Sequence, residues 1–280
     1  MAIAKGKYLL FLDSDDFFAP QMLENLLCLA EKNDAQVVEF GHYEYDDQTK
    51  KLHIPQKKFA KRKLVSSIEL GKEIFTMCMA VPWSKLLLRS FVVESNILYQ
   101  NISCNNDVLF NRMIVLLADK IVLSDERFVF HRNNNSSSIQ GNSNRNLMCI
   151  AHAFSALKSE MEKRNLFHGN FKEAYGNELY KVFDFYIVEY GSNYSRRELY
   201  EYIKHDAIPA LFDSEADIRK NERLSRIIDS QTYEDFLVSE IQYQKRACEN
   251  RISKDSKDYL LGNLLLRIPR KIKEFYRSKI

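Results

Sequence analysis

The sequence predicts an α/β protein, with a mixed sheet flanked by helices over residues 1–140 and a mainly helical region over residues 141–280. Three observations carry this. An opening apolar run, Tyr8 to Leu12, stops abruptly at the carboxylates Asp13, Asp15 and Asp16. Segments of strand and helix periodicity then alternate as far as Ile139. From about Asn144 only helical spacing recurs.

The opening run is short, aromatic and branched, which reads as a buried strand covered on both faces. After the carboxylates, Pro20 occupies a first-turn position, and Met22, Leu23, Leu26, Leu27 and Ala30 recur at helical spacing. Gln36 to Tyr45 alternates as a strand, Asp46-Asp47-Gln48 forms a turn, and Lys51 to Ile54 returns as a hairpin partner. Ser66 and Glu69 form a capping box at a helix start. Asn105-Asn106-Asp107 opens another helix, whose apolar face is Leu109, Met113 and Leu116 or Leu117. Two short strands follow, at Lys120 to Ser124 and Arg127 to His131. The second leads through Arg132 into a polar, Ser-rich loop. Behind it, helices are expected at Leu147 to Met161, Phe171 to Tyr190, Arg196 to Ile203, Asn221 to Ile228 and Tyr233 to Arg251.

Composition narrows the function classes. With 45% apolar and 28% charged residues the chain has the makeup of an ordinary soluble globular protein. A net charge of +3 does not call for nucleic acid as a partner. Five dispersed cysteines without a C-x-x-C pair argue against a disulfide framework or a zinc site and fit a reducing cytoplasm. The opening apolar run is too short for a signal peptide, and no apolar stretch has the length of a membrane span.

The chemistry concentrates in Lys7-Tyr-Leu-Leu-Phe-Leu-Asp-Ser-Asp-Asp16. If the strand stays extended through them, Asp13 and Asp15 share a face. Three close anions raise one another's pKa and call for a cation, such as a hard divalent ion that shares its shell with phosphate oxygens. A solvated acidic turn capping the next helix is the competing reading. Asp107 has two readings as well: a complement to the helix dipole, or a carboxylate poised to accept a proton from a bound hydroxyl. Trp83 and Lys85 either contact a sugar or anchor a helix start. Arg132 offers donors for phosphate oxygens, and His131 a metal-binding nitrogen. The basic run 57–63 is a solvated loop or a face for an anionic acceptor.

Residues Ala4 to Leu23, built around Phe11-Leu12-Asp13-Ser14-Asp15-Asp16, resemble the metal-site segment of family 2 glycosyltransferases, whose fold is called GT-A. The Trp83-Ser84-Lys85 and Asn106-Asp107 segments and the aromatic-Arg end of the third region fit the same pattern. The resemblance implies a hexose-type transfer, with inversion, from a nucleotide diphosphate sugar such as a UDP-sugar to a cell-surface polysaccharide or lipid-linked acceptor. Asp13, Asp15 and His131 would hold Mn²⁺ or Mg²⁺, Asp16 and Arg132 would support the donor diphosphate, and Asp107 would be the base. Trp83 and Lys85 would stand on the acceptor side. Where this chain has Asn106, the family has Glu.

In that family the metal segment follows a nucleotide-binding half of two or three βα units. The expectation is therefore a partial GT-A fold lacking most of that half, and with it an impaired transferase acting as a binding module, or a gene fragment, as the alternative. A phosphohydrolase with an Asp-x-Asp strand end fits less well, because Asp16-Phe17 follows where a small residue belongs. The basic amphipathic tail, Tyr259 to Ile280, fits the inner face of an anionic bilayer, each basic residue adding about 1 kcal/mol near the surface. The same tail also reads as a helix docked on its own domain.

Overall fold

The computed structural model describes residues 3–55, 63–133, 147–189, 193–212, 215–219 and 222–252. The basic run, apart from Lys63, lies outside them, as do the Ser-rich loop at 134–146 and the tail. The chain divides into two compact units, Met1–Asn142 with His152–Glu178, and Ser143–Ala151 with Leu179–Ile280.

The first unit is built on a mixed seven-stranded sheet. Its strands are β1 (Tyr8–Leu10), β2 (Phe17–Phe18), β3 (Val37–Asp46), β4 (Leu52–His53), β5 (Lys63–Val65), β6 (Lys85–Leu88) and β7 (Ile121–Asn133). The path runs β1-β6-β3-β7-β2, with β4 added to β3 and β5 to β7. Among the described residues only β3 and β7 pair in parallel. Helices α1 (Met22–Asn33), α2 (Ser67–Leu70), α3 (Ile74–Met77), α4 (Arg89–Ser95) and α5 (Val108–Leu116) fill the connections. The boundary between the units falls within α6 (Met148–Lys163) and α7 (Gly169–Glu189).

The apolar residues of α1 explain its place. Met22, Leu26, Leu29 and Ala30 are buried together with Val38, Phe40, Trp83, Leu86, Val122, Phe128 and Val129. The helix ends at Asp34, which takes the left-handed conformation at φ 45° and closes bonds back to Ala30 and Glu31. The capping box forms as expected: the Ser66 hydroxyl accepts from the Glu69 N–H, and the Glu69 carboxylate accepts from the Ser66 N–H at 2.7 Å.

Two expectations change. β1 stands at the end of the strand path and pairs with β6 alone among the described residues, so Leu9 is buried while Tyr8 and Leu10 are only half covered. The two short strands after Lys120 are one strand, β7, which stays on β3 through a register slip at Gly41. A side chain at Gly41 would meet Arg127 Cγ at 2.9 Å and the Glu126 carbonyl oxygen at 3.2 Å. Glycine is what lets the bulge close there.

The second unit is helical as predicted. It contains α8 (Asn193–Tyr202), α9 (Ile208–Leu211), α10 (Glu215–Arg219), α11 (Glu222–Asp229) and α12 (Tyr233–Ile252). Tyr200 is buried beside Tyr233 and Phe236 and donates to the Ile227 carbonyl at 3.1 Å. Glu240 on α12 is buried and gathers both arginines of α11: Arg223, and Arg226 at 2.8 Å. No helix of the described residues is long and apolar enough to cross a membrane.

Burial pushes the Glu240 carboxyl up, but Arg223, Gln244 and Arg226 outweigh it and hold the group below the ordinary glutamate value of 4.5. A depressed acid contributes stability that is present above the unfolded value and lost as pH falls through the folded one. Glu240→Gln should therefore cost about 3 kcal/mol at pH 7, because two half-buried guanidinium groups lose their buried counter-ion. In urea titrations from pH 7 down to pH 3, the gap between wild type and variant should shrink below about pH 4.5. A gap that stays constant would remove the ion pair as the source.

Candidate active site

The acidic stretch does not continue as a strand. β1 stops at Leu10, and the Asp16 N–H donates to the Asp13 carbonyl at 3.3 Å, closing a turn. Strand alternation therefore does not decide which way Asp13 and Asp15 face. The turn is fastened instead by Asp16, whose side chain is 1% exposed. Its carboxylate accepts from the Arg132 backbone N–H at 2.9 Å, and both its oxygens lie 3.3 Å from His131 Nδ1. The Arg132 guanidinium donates to the Asp15 carbonyl at 3.2 Å and to Asp47 Oδ2 at 3.0 Å. The end of β7 thus holds the turn at backbone and side chain alike.

Asp107 comes from a separate stretch, immediately before α5. Its carboxylate makes no cap bond to the helix, while its carbonyl accepts from the Asn111 side-chain amide at 2.9 Å. This side of the site is tied to the acidic turn by aromatic packing. Tyr99 stacks on Phe110 with centroids 4.5 Å apart, and Phe11 meets both rings edge-on at 5.5 and 5.7 Å. Phe11 lies two residues before Asp13, and Phe110 three after Asp107, so the cluster brings the two carboxylates into one neighbourhood. The Tyr99 hydroxyl is buried without a hydrogen-bond partner.

The electrostatics reflect that proximity. Burial raises the Asp13 carboxyl above its ordinary value, the charges of Asp16 and Asp15 raise it further, and His131 opposes them. Asp107 is raised mainly by burial and also by Asp13, against the pull of its own backbone N–H, Lys85 and Arg112. The Tyr99 phenol is pushed up by burial, then by Asp107 and Asp13. His131 is raised first by its hydrogen bond to Asp16, although burial opposes this.

The residues expected to act together thus lie around one site, but several do different work there. Trp83 is buried, stacked on His131 at 5.2 Å and met edge-on by His42 at 4.9 Å. Lys85 has no exposed side-chain surface. Its Nζ donates to the carbonyls of Met79 at 2.5 Å and Val81 at 3.0 Å and pairs with Glu39 Oε2 at 3.1 Å. Lys85 supports the wall of the site, because its Nζ is spent inside, and Trp83 packs there by its ring contacts. His131 has Nδ1 turned to the Asp16 carboxylate.

Among the described residues no group of three or more His, Cys, Asp and Glu side chains is arranged to hold a metal ion. Of the expected set of Asp13, Asp15 and His131, the histidine has Nδ1 against Asp16, and Asp13 and Asp15 stand in the acidic turn. That pair still fits Mg²⁺ or Mn²⁺, since such an ion takes one or two carboxylates and completes its shell with substrate phosphates and water. The raised Asp13, an anion short of positive charge, fits the same reading.

Sequence reasoning missed Tyr99, Glu39, Asp47 and Arg112. Glu39 carried a signal, a lone carboxylate among Val37, Val38 and Phe40 that needs a buried cation. Tyr99 carried none.

Comparison with known proteins bears on the family and the fold. Residues 1–92 match the family model described as glycosyl transferase family 2. No curated protein matches the chain. Among solved structures the fold is similar to S. aureus TarS 1–349 in complex with UDP-GlcNAc, with TM-score 0.60 and 14% identity over 87% of this chain and 69% of that one. The same fragment in complex with UDP gives TM-score 0.60 and without a stated ligand 0.57, each at 14% identity over 87% of this chain and 68% of that one. The likeness establishes the GT-A type of α/β fold. The match to the glycosyl transferase family 2 model extends over residues 1–92 of this chain.

Proposed function

We propose that the protein transfers a hexose-type sugar from a nucleotide diphosphate sugar to a hydroxyl of a glycan or lipid-linked acceptor, with inversion at the anomeric carbon. The observation that carries this is the meeting of Asp107 with the acidic turn 13–16 across an aromatic cluster, the turn itself lying within the residues that match the family 2 model. TarS, the similar fold, was solved with UDP-GlcNAc, which favours a UDP-sugar as donor.

In this mechanism Asp107 accepts the proton of the acceptor hydroxyl. The hydroxyl oxygen forms its bond to the anomeric carbon as the bond from that carbon to the diphosphate oxygen breaks. The electron pair leaves on the nucleoside diphosphate. Asp13 and Asp15 would hold Mn²⁺ or Mg²⁺, which offsets charge on that leaving group when bound. Asp16 keeps the turn in register with β7 through Arg132 and His131. The Arg132 side chain, 31% exposed, faces the same turn with donors suited to phosphate oxygens.

Calorimetry tests the donor half. Wild type should bind UDP-hexose with Mn²⁺ present and lose at least about tenfold in affinity without the ion. Asp15→Ala should bind weakly in both conditions, and undiminished binding by that variant would remove the metal role. Kinetics test the base. A buried general base works deprotonated, so with Asp107 raised the acid limb of kcat should lie above the ordinary aspartate value of 3.8. Asp107→Asn should cost about 10²-fold or more in kcat and leave donor KM little changed. Wild-type turnover in Asp107→Asn would assign the base elsewhere.

A further inference from the structure

Two buried cations end on the same turn. Lys85, on β6, and Arg112, on α5, are 0% and 2% exposed. Lys85 Nζ donates to the Met79 and Val81 carbonyls. Arg112 Nη1 donates to the carbonyls of Cys78 and, at 3.2 Å, of Phe75, with its guanidinium 4.7 Å over the Phe75 ring. These carbonyls lie in and just beyond α3, where a helix presents partial negative charge and accepts cations. The counter-ions differ in position. Glu39 holds Lys85 from β3, directly across the ladder, and Glu178 on α7 holds Arg112.

Arg112 lies five residues after Asp107, so a cation fixed to this turn also fixes the start of α5. A chain that needed only helix packing here has apolar residues available, and neighbours Met113, Ile114 and Val115 are fully buried. Burying two ammonium-type charges instead is costly unless each is paired, and a side chain that holds three acceptors in a fixed fork adds placement as well as charge. The charged and titratable groups around Asp107 are Asp13 from the acidic turn, Tyr99 from the preceding loop, Lys85 from β6 and Arg112 from its own helix. The two cations are the members of that set that favour a carboxylate in its charged form.

We propose that Lys85 and Arg112 are positioning residues for Asp107. Clamped on one turn from two elements, they set where the carboxylate stands and keep positive charge beside it. The proposal rests on Asp107 being the base. It adds that the base is maintained from behind by groups that never touch substrate.

The test follows the Asp107 carboxyl by ¹³C NMR in the full chain without metal or substrate, its signal assigned with Asp107→Asn. Arg112→Met removes the charge and should move the Asp107 midpoint up by about one pH unit. Glu178→Gln, at a side chain 15% exposed, leaves the guanidinium without its counter-ion and should move the midpoint down by about half a unit. Both variants lose the same ion pair and both should unfold more easily, so mere loosening shifts them in one direction. Opposite shifts support the clamp, whereas shifts of one sign, or none, overturn it. Arg112→Lys keeps the charge and should titrate like wild type. If Arg112→Met does not fold, Glu178→Gln decides alone, and an unmoved midpoint overturns the proposal. Full sugar transfer by Asp107→Asn would instead sink the assignment of the base, an outcome the titration keeps separate.

Discussion

One buried carboxylate holds the site in shape. Asp16 stands in the interior of the first unit, where the Arg132 N–H and the His131 ring meet its carboxylate and satisfy it. That bond joins residues 116 apart in sequence and fastens the acidic turn to the end of a central strand. Without it, three carboxylates in four positions would repel one another into solvent. With it, two of them, Asp13 and Asp15, are left for a ligand and the third is spent on architecture.

The same division of labour runs through the wall behind the turn. His131 stacks on Trp83, and Trp83 sits in a turn whose carbonyls are held by Lys85, itself paired to Glu39 across the β3-β6 ladder. Residues whose chemistry suggests contact with sugar or metal are here used to hold backbone. A rigid scaffold of this kind suits a transfer reaction, in which donor and acceptor must meet within a fraction of an ångström of a reactive geometry. The aromatic cluster of Phe11, Tyr99 and Phe110 does the corresponding work on the other side, setting the distance between the acidic turn and Asp107.

Much of this was legible in the sequence because it is local. The apolar run ending in aspartates, the alternation of Val37 to Tyr45, the capping box at Ser66 and the helix after Asp107 are written in neighbouring residues. Helix periodicity behind Asn144 likewise predicts α6, α7, α8, α11 and α12 to within a few residues, while the short α9 and α10 were not foreseen. What escaped is written in pairs. Lys85 reads as a sugar contact or a helix anchor until Glu39 is known to face it, and a single strand reads as two until β3 is seen to follow it past Gly41. His131 reads as a ligand until Asp16 arrives from the opposite end of the unit. Periodicity reports which face is buried, but not which polar partner waits there.

The claim underlying this account is that Asp13, Asp15 and Asp107 belong to one ligand site. Paramagnetic broadening tests it most directly: substoichiometric Mn²⁺ added with UDP-hexose to ¹⁵N-labelled protein, reading backbone amides. The account predicts that amides of 13–16, 107–108 and 131–132 broaden together, the strongest effect falling on the acidic turn, and that Asp13→Ala with Asp15→Ala abolishes it. Broadening centred elsewhere, or confined to 13–16 with 107–108 untouched, would contradict it.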